Sequence, residues 1–213
     1  MTNINFSFLF MTSFFQSGPI FRTKSLDTSR KKHEGAIYLP VFSPFGVLPS
    51  SYYTRIDQAL LVWGTTVALI FIPAQFLYVD WQIQAILWSA LSSLAVVTTY
   101  RLTWSSENYR HLRWVMQLWS WLVLFGVGVS NYGIFGVQGW ILGHLCDVWL
   151  GICGIGYFIC AVGMRSRPLA IIGGIHSLTI VFISAVPQWM FLTTGLVMSC
   201  SLLLLAELWW EHR

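Results

Sequence analysis

Six long apolar segments constrain what this chain can fold into. They lie at about residues 58–79, 81–100, 114–132, 139–163, 169–186 and 189–208. A helix needs about 20 mainly apolar residues to cross the hydrocarbon core of a bilayer, and each segment is long enough, the fifth only just. Only 9% of the 213 residues are charged, whereas soluble domains carry roughly 25%. The sequence therefore predicts an all-α integral membrane protein with six transmembrane helices.

The links between these spans predict three helical hairpins. Short sequences, VDW, YGIFGVQ and VPQW, join the first span to the second, the third to the fourth and the fifth to the sixth. Lys and Arg in short loops concentrate on the cytoplasmic side of a membrane. With a cytoplasmic N-terminus and C-terminus, all twelve basic residues fall on that side. The charges therefore favour six spans with both termini in the cytoplasm.

An N-terminal arm, residues 1–56, precedes the spans. Its longest polar stretch covers residues 22–34, and Pro40, Pro44 and Pro49 follow at a spacing that no regular helix tolerates. We therefore expect the arm to lie on the cytoplasmic face or in the membrane interface and to be partly disordered. The remaining residues, 57–213, are predicted to form one transmembrane domain.

Two further features of the arm concern where structure and translation begin. The apolar stretch at residues 5–15 is too short to span, has no basic residue before it and no small-residue cleavage site after it, so it does not fit a secretory signal peptide. Either it lies in the membrane interface or translation starts at Met11. At the other end of the arm, Thr54 and Asp57 have capping-box spacing, which predicts that the first helix starts there.

Asp147 is the only acidic residue well inside a predicted span. An aspartate at the centre of a membrane helix costs about 2.5 to 3.5 kcal/mol, so it should face the bundle interior and have a partner. Counting 1.5 Å per residue from the outer ends of the fourth and fifth spans puts Asp147 and His176 at nearly the same depth. His144 lies one turn from Asp147 on the same face. We therefore expect an intramembrane polar cluster of His144, Asp147 and His176. It either holds two helices together by a hydrogen bond, relays protons or binds a ligand.

The inner loop after the second span is the other candidate site. It carries Arg101, Arg110, His111 and Arg113. These residues suit an ordinary positive-inside loop, and they also suit contact with a soluble partner or with anionic lipid headgroups. The net charge of +4 follows this topological pattern, so no nucleic-acid partner is expected.

Most of the twelve tryptophans fall at predicted membrane boundaries, where amphipathic rings anchor a span at headgroup level. Five lie deeper and need either packing or a ligand: Trp63, Trp88, Trp119, Trp121 and Trp149.

Sites for metals, cofactors and catalysis are not indicated. Cys146, Cys153 and Cys160 recur every seven residues, and buried cysteine usually behaves as a small hydrophobic residue. A bis-histidine haem site needs His144 and His176 at one level, but the count along the helices offsets them by roughly 7 Å. The chain has no phosphate-binding loop, dinucleotide fingerprint, H-E-x-x-H motif or G-x-S-x-G motif. We therefore expect no catalytic site, no metal and no cofactor.

Three functions are compatible with this pattern. The leading expectation is an accessory, assembly or scaffold protein of a membrane complex, with lipids and another integral membrane protein as partners. The alternative is a small proton-coupled carrier that uses Asp147, His144 and His176, and a weaker one is a redox subunit that binds haem or quinone. A carrier predicts a water-accessible cavity that reaches Asp147, whereas a scaffold predicts Asp147 sealed between helices. The expected location is the bacterial inner membrane, with a photosynthetic membrane as the second choice.

Overall fold

Helices make up nearly all of the described chain in the computed structural model, which describes residues 22–23, 37–39, 51–104 and 107–209. Within these ranges there are seven α-helices and two 3₁₀ turns, at Glu107–Leu112 and Pro187–Trp189. The fourth and fifth α-helices are separated by a single residue. The α-helices are α1 (Arg55–Phe76), α2 (Trp81–Thr103), α3 (Arg113–Phe135), α4 (Gly139–Gly143), α5 (Leu145–Met164), α6 (Arg167–Ile183) and α7 (Met190–Glu207).

Four strands of two or three residues each lie outside the helices. They are β1 (Arg22–Thr23), β2 (Ile37–Leu39), β3 (Ser51–Tyr53) and β4 (Leu208–Trp209). β1 pairs antiparallel with β4 and β2 pairs antiparallel with β3, so a piece of the N-terminal arm pairs with the residues that follow the last helix. The other residues of the arm before Ser51, including the apolar stretch at 5–15 and Met11, lie outside the described residues.

The prediction of an all-α membrane protein is confirmed for five helices. Five helices are each long and apolar enough to cross a membrane: α1, α2, α3, α5 and α7, where α3 and α7 are counted with the turns that precede them. α6, which is the fifth predicted span, is apolar but has only 17 residues. The fourth predicted span is divided, because α4 ends at Gly143 and α5 starts afresh at Leu145.

The helices pack in an order that the three predicted hairpins do not describe. The two most extensive contacts join α1 to α7 and α5 to α6, while α6 and α7 touch over a much smaller area. Small residues permit the close approaches, since glycine lets membrane helices come together. In the contact of α1 with α7, the hydroxyl of Ser199 donates a hydrogen bond of 2.8 Å to the carbonyl of Gly64. The hairpin arrangement is thus not confirmed, and the first and last helices close the bundle.

A glycine–tryptophan seam joins α3 to α5. A Cβ atom added to Gly126 would lie 2.8 Å from the ring of Trp149, which is far inside van der Waals contact. The same relation recurs along both helices, and the seam consists of the pairs Gly126 with Trp149, Gly156 with Trp119, and Gly163 with Trp114. In each pair the indole ring occupies the space that a side chain would take, so these glycines set the distance between the two helices.

Hydrogen bonds tie together the helix ends at which the arginines lie. Arg55 at the start of α1 donates to the carbonyl of Leu102 near the end of α2 at 3.3 Å, and Arg113 at the start of α3 donates to the carbonyl of Trp104 at 3.2 Å. Tyr53, just before α1, donates to Glu207 at the end of α7. The start of α1, the end of α2, the start of α3 and the end of α7 therefore share one end of the bundle.

Gln75 fixes the opposite end of the bundle. Its amide nitrogen donates to the carbonyl of Gln188 at 2.8 Å, and its oxygen accepts from the backbone N–H of Leu192 at 3.2 Å. The rings of Phe76 and Trp189 lie 6.3 Å apart beside this bridge. One glutamine at the end of α1 therefore satisfies backbone groups at the start of α7.

The predicted start of the first membrane helix is confirmed. Thr54 is the N-cap of α1, its side chain accepts from the N–H of Asp57, and the carboxylate of Asp57 accepts from the N–H of Thr54 at 2.8 Å. This reciprocal pair is the capping box that the sequence pattern predicts.

Removing the cap is expected to destabilise the protein moderately. Thr54→Ala should lower the free energy of unfolding by about 1 kcal/mol, because one backbone donor of the first turn loses its acceptor. The measurement is detergent-induced unfolding of purified protein, followed by circular dichroism. Thr98→Ala is the control, because the hydroxyl of Thr98 bonds only to the carbonyl of Leu94 on its own helix. Equal stability of the two variants would contradict the prediction.

Candidate functional site

Asp147 lies near the N-terminal end of a helix. α5 begins at Leu145, directly after a break at His144, so Asp147 occupies its first turn and is only partly buried. A carboxylate in the first turn is stabilised by the helix dipole and by the free N–H groups there, typically by about 0.3 to 1 kcal/mol. The sequence-based count assumed one continuous helix from residue 139, whereas residues 139–143 form the separate helix α4 and α5 starts at Leu145, so the depth of Asp147 stays a prediction. The location at a helix N-terminus explains how this apolar chain accommodates the aspartate.

His176 is fully buried, at a different level of the bundle. Its Nδ1 lies 2.9 Å from the carbonyl oxygen of Ile172, and its ring lies against Tyr157 with centroids 5.1 Å apart. Tyr157 is ten residues along α5 from Asp147, which corresponds to about 15 Å of helix. The predicted contact between Asp147 and His176 is therefore not made.

His144 is exposed at the break between α4 and α5. Its ring stacks on Trp140 with centroids 5.1 Å apart, and its Nδ1 lies 2.9 Å from the carbonyl oxygen of Trp140. His144 is thus close to Asp147 in the chain, but the two do not form a sealed cluster with His176. A haem between His144 and His176 is not supported either, because one ring is at the surface and the other is in the core.

The inner loop keeps three of its four predicted residues on the surface. Arg101, Arg110 and His111 are exposed. Arg113 is partly buried, and its guanidinium lies 4.8 Å above the ring of Trp104 in a cation–π contact. Arg113 therefore holds the loop to its own helix ends, and the other three remain candidates for contact with headgroups or a partner.

The cysteine stripe lies in the hydrophobic core. Cys146, Cys153 and Cys160 are buried free thiols among apolar side chains of the main core, and Cys200 is exposed. Within the part of the chain that the structure describes, no three His, Cys, Asp or Glu side chains are close enough together to hold a metal ion.

Four of the five deeper tryptophans have contacts inside the bundle. The ring centroids of Trp88 and Trp81 are 6.1 Å apart, and those of Trp119 and Tyr157 are 5.0 Å apart. The indole N–H of Trp149 donates a hydrogen bond of 3.0 Å to the hydroxyl of Ser130. Trp63 lines an interior cavity. Trp121 differs from all of them, because 70% of its surface is exposed.

Trp121 belongs to an exposed face of α3, called the α3 stripe below. Its members are Trp121, Leu124, Phe125, Gly128, Tyr132 and Phe135, all of them exposed. Their spacing of three, four and seven residues puts them on one side of the helix. The sequence singled out Trp121 but not the rest of the stripe, because neighbouring apolar residues of a span look alike until the buried face is known.

The interior cavity, with a volume of about 130 Å³, lies between six helices. It extends from Ile56 and Leu112, at the end of the bundle that carries the arginines, to Val67 and Trp149. Most of its wall is apolar, but His176 and Thr99 also line it. Asp147 is not among the lining residues. Thr99 was not identified from the sequence, because a threonine in an apolar span gives no signal by itself.

Comparison with models of protein families, with curated proteins and with solved structures finds no match for this chain. Two structural features therefore bear on the function of this chain: the α3 stripe on its surface and the interior cavity.

Proposed function

We propose that this chain is an accessory subunit of a membrane complex and that it binds another integral membrane protein through the α3 stripe. The observation that carries the proposal is Trp121, a large side chain that the fold leaves outside the bundle.

Contact with lipid alone does not account for Trp121. Tryptophan on a lipid-facing surface is enriched at the two membrane interfaces, where its N–H reaches polar headgroups. Trp121 follows the start of α3 at Arg113 by eight residues, so it lies about 12 Å along the helix. The midpoint of α3 is Leu124, three residues further on, so Trp121 lies within about 5 Å of the middle of this span. An indole N–H at that depth lacks a headgroup, and a partner protein supplies both packing and a hydrogen-bond acceptor.

The spacing of the α3 stripe favours a helix as the partner. Trp121, Gly128 and Phe135 recur every seven residues, the repeat with which one helix meets another along a seam. A Cβ atom added to Gly128 would meet nothing within 4 Å, so the backbone of a partner can approach closely there. We therefore assign the stripe to a membrane-spanning helix of another protein.

The double variant Trp121→Ala/Gly128→Leu is expected to lose its partner. Buried tryptophans at interface centres contribute about 2 kcal/mol or more, so the amount of partner recovered with gently solubilised, tagged protein should fall more than about ten-fold. The matched control is Leu94→Ala/Gly174→Leu, which shortens an exposed side chain of α2 and fills open space beside α6. Equal recovery with both variants, or wild type that purifies alone, would refute the proposal.

The membrane topology proposed with this function has six spans and two cytoplasmic termini, in a bacterial inner membrane. Five helices have the length for a span, and α6 with 17 residues is at the lower limit. The distribution of Lys and Arg supports the orientation, as does the location of Arg55 and Arg113 at one end of the bundle. Exposed Arg101, Arg110 and His111 at that end then contact anionic headgroups.

The interior cavity does not support a proton-coupled carrier that uses Asp147. Such a carrier needs a cavity that leads from water to Asp147. The interior cavity is lined by other residues and begins at the opposite end of the bundle.

A further inference from the structure

We infer that the interior cavity is a binding site for a small apolar molecule that carries one hydroxyl group, an alcohol or a phenol. The inference is independent of the α3 stripe, because the cavity lies inside the bundle and the stripe on its surface.

His176 supplies the polar group at this site. Its Nδ1 lies 2.9 Å from the carbonyl oxygen of Ile172, and because a carbonyl can only accept, Nδ1 carries the proton. In the neutral ring Nε2 is then an acceptor. Nε2 is on the other side of the ring, away from the helix that bears it, and it is buried without a partner among the described residues. A buried acceptor without a donor costs about 1 to 3 kcal/mol, so it marks a place where a donor belongs.

Thr99 is the second polar group, and its hydroxyl differs from several other hydroxyls of these helices. Thr98, Thr103 and Ser120 each donate to the carbonyl four residues earlier on the same helix. The hydroxyl of Thr99 makes no such bond and has no partner in the described part of the chain, although the residue is only 7% exposed. It lines the same cavity as His176. Two such residues on α2 and α6 therefore share one apolar cavity.

The size and wall of the cavity define the apolar part of the ligand. A cavity of about 130 Å³ is close to the roughly 150 Å³ of an engineered apolar cavity that binds benzene. The aromatic rings of Trp63 and Trp119 form part of the wall, and the flexible side chains of Met116 and Met198 can adjust to a guest. A single aromatic ring with a short alkyl chain fits this space.

The acceptor at Nε2 distinguishes a hydroxyl from a carbonyl. A hydroxyl donates to Nε2 and can accept from Thr99 or remain unpaired, whereas a carbonyl oxygen would bring two sets of lone pairs together. An apolar molecule without any polar group leaves Nε2 without a hydrogen-bond donor. The site should therefore prefer a phenol to the hydrocarbon of the same shape.

The test compares 4-propylphenol with propylbenzene. Both are measured by equilibrium dialysis against the full chain in lipid nanodiscs, with binding to empty nanodiscs subtracted. We expect saturable binding of one molecule per chain, with the phenol bound about ten-fold more tightly, as one net hydrogen bond provides. Absence of saturable binding, or equal affinity for the two probes, would overturn the inference.

Two variants assign the preference to the named residues. His176→Phe should abolish the preference for the phenol, and Thr99→Val, which has nearly the same shape as the wild type, should reduce it. Retained binding of propylbenzene shows that each variant still folds around the cavity. Thr98→Val is the control, since its hydroxyl bonds to its own helix and it does not line the cavity. A preference that survives in His176→Phe, or a preference of undiminished size in Thr99→Val should His176→Phe not fold, would contradict the assignment.

Discussion

Gly126→Val is expected to lower the free energy of unfolding by about 1 to 3 kcal/mol, the usual cost of overpacking a tight interior. The new side chain meets the ring of Trp149, which a Cβ atom alone would approach to 2.8 Å. The ring cannot easily move aside, because its Nε1 is hydrogen-bonded to Ser130 at 3.0 Å and its edge packs on Phe71. α3 and α5 must therefore separate. The measurement is unfolding of the purified protein in mixed detergent micelles.

Gly128→Val is the matched control for this prediction. Gly128 is two residues away on the same helix, and a Cβ atom there meets nothing within 4 Å. Valine also has a higher helix propensity than glycine, so this variant should be as stable as the wild type or slightly more stable. If the two variants unfold at the same detergent fraction, the glycine–tryptophan seam does not set the helix distance.

Trp149→Ala is expected to lower the free energy of unfolding by about 3 kcal/mol. Truncating a fully buried tryptophan costs about 3 to 5 kcal/mol in proteins generally, and Trp149 is partly buried against the main core. The lower end applies here, since lipid is as apolar as the bundle interior and only packing and one hydrogen bond are lost. The lost contacts are those with Gly126, Phe71 and Ser130. The same unfolding assay measures the loss.

Trp121→Ala is the control for Trp149→Ala, because it makes the same chemical change on the exposed α3 stripe. In purified protein without a partner it should change the stability by less than about 0.5 kcal/mol. A further check combines Trp149→Ala with Gly126→Val. In that background the valine should cost less than it does alone, because the two residues share one contact. Simple additivity of the two changes would contradict the packing described for the seam.

The sequence predicted the features that depend on local pattern. Apolar length identified the five helices that are long enough to cross a membrane. The spacing of Thr54 and Asp57 located the start of α1, because a capping box involves only four consecutive residues. Lys and Arg placement predicted which helix ends come together, and Arg55 and Arg113 do lie at one end of the bundle. Each of these signals can be seen without knowing which helices touch.

Features that depend on helix faces and axes were not predictable in this way. The break at His144 lies inside a continuous apolar run, so hydropathy did not reveal that Asp147 occupies the first turn of a new helix. Trp119 and Trp121 are two residues apart and equally apolar, yet one lies against Tyr157 and the other faces outwards. Only the neighbouring helices decide between them. The same holds for Thr99, whose environment comes from helices far away in the sequence.

The contact between the first and the last helix also sets a time scale for biogenesis. The hydrogen bond from Ser199 to Gly64 joins residues 135 positions apart. At a synthesis rate of about 5 to 20 residues per second, α1 emerges roughly 7 to 27 s before its main partner exists. During that interval the surface of α1 that later meets α7 is covered by lipid or by a helper protein. The contact therefore forms only after α7 has been synthesised, and a chain that stops short of α7 leaves that surface without its partner helix.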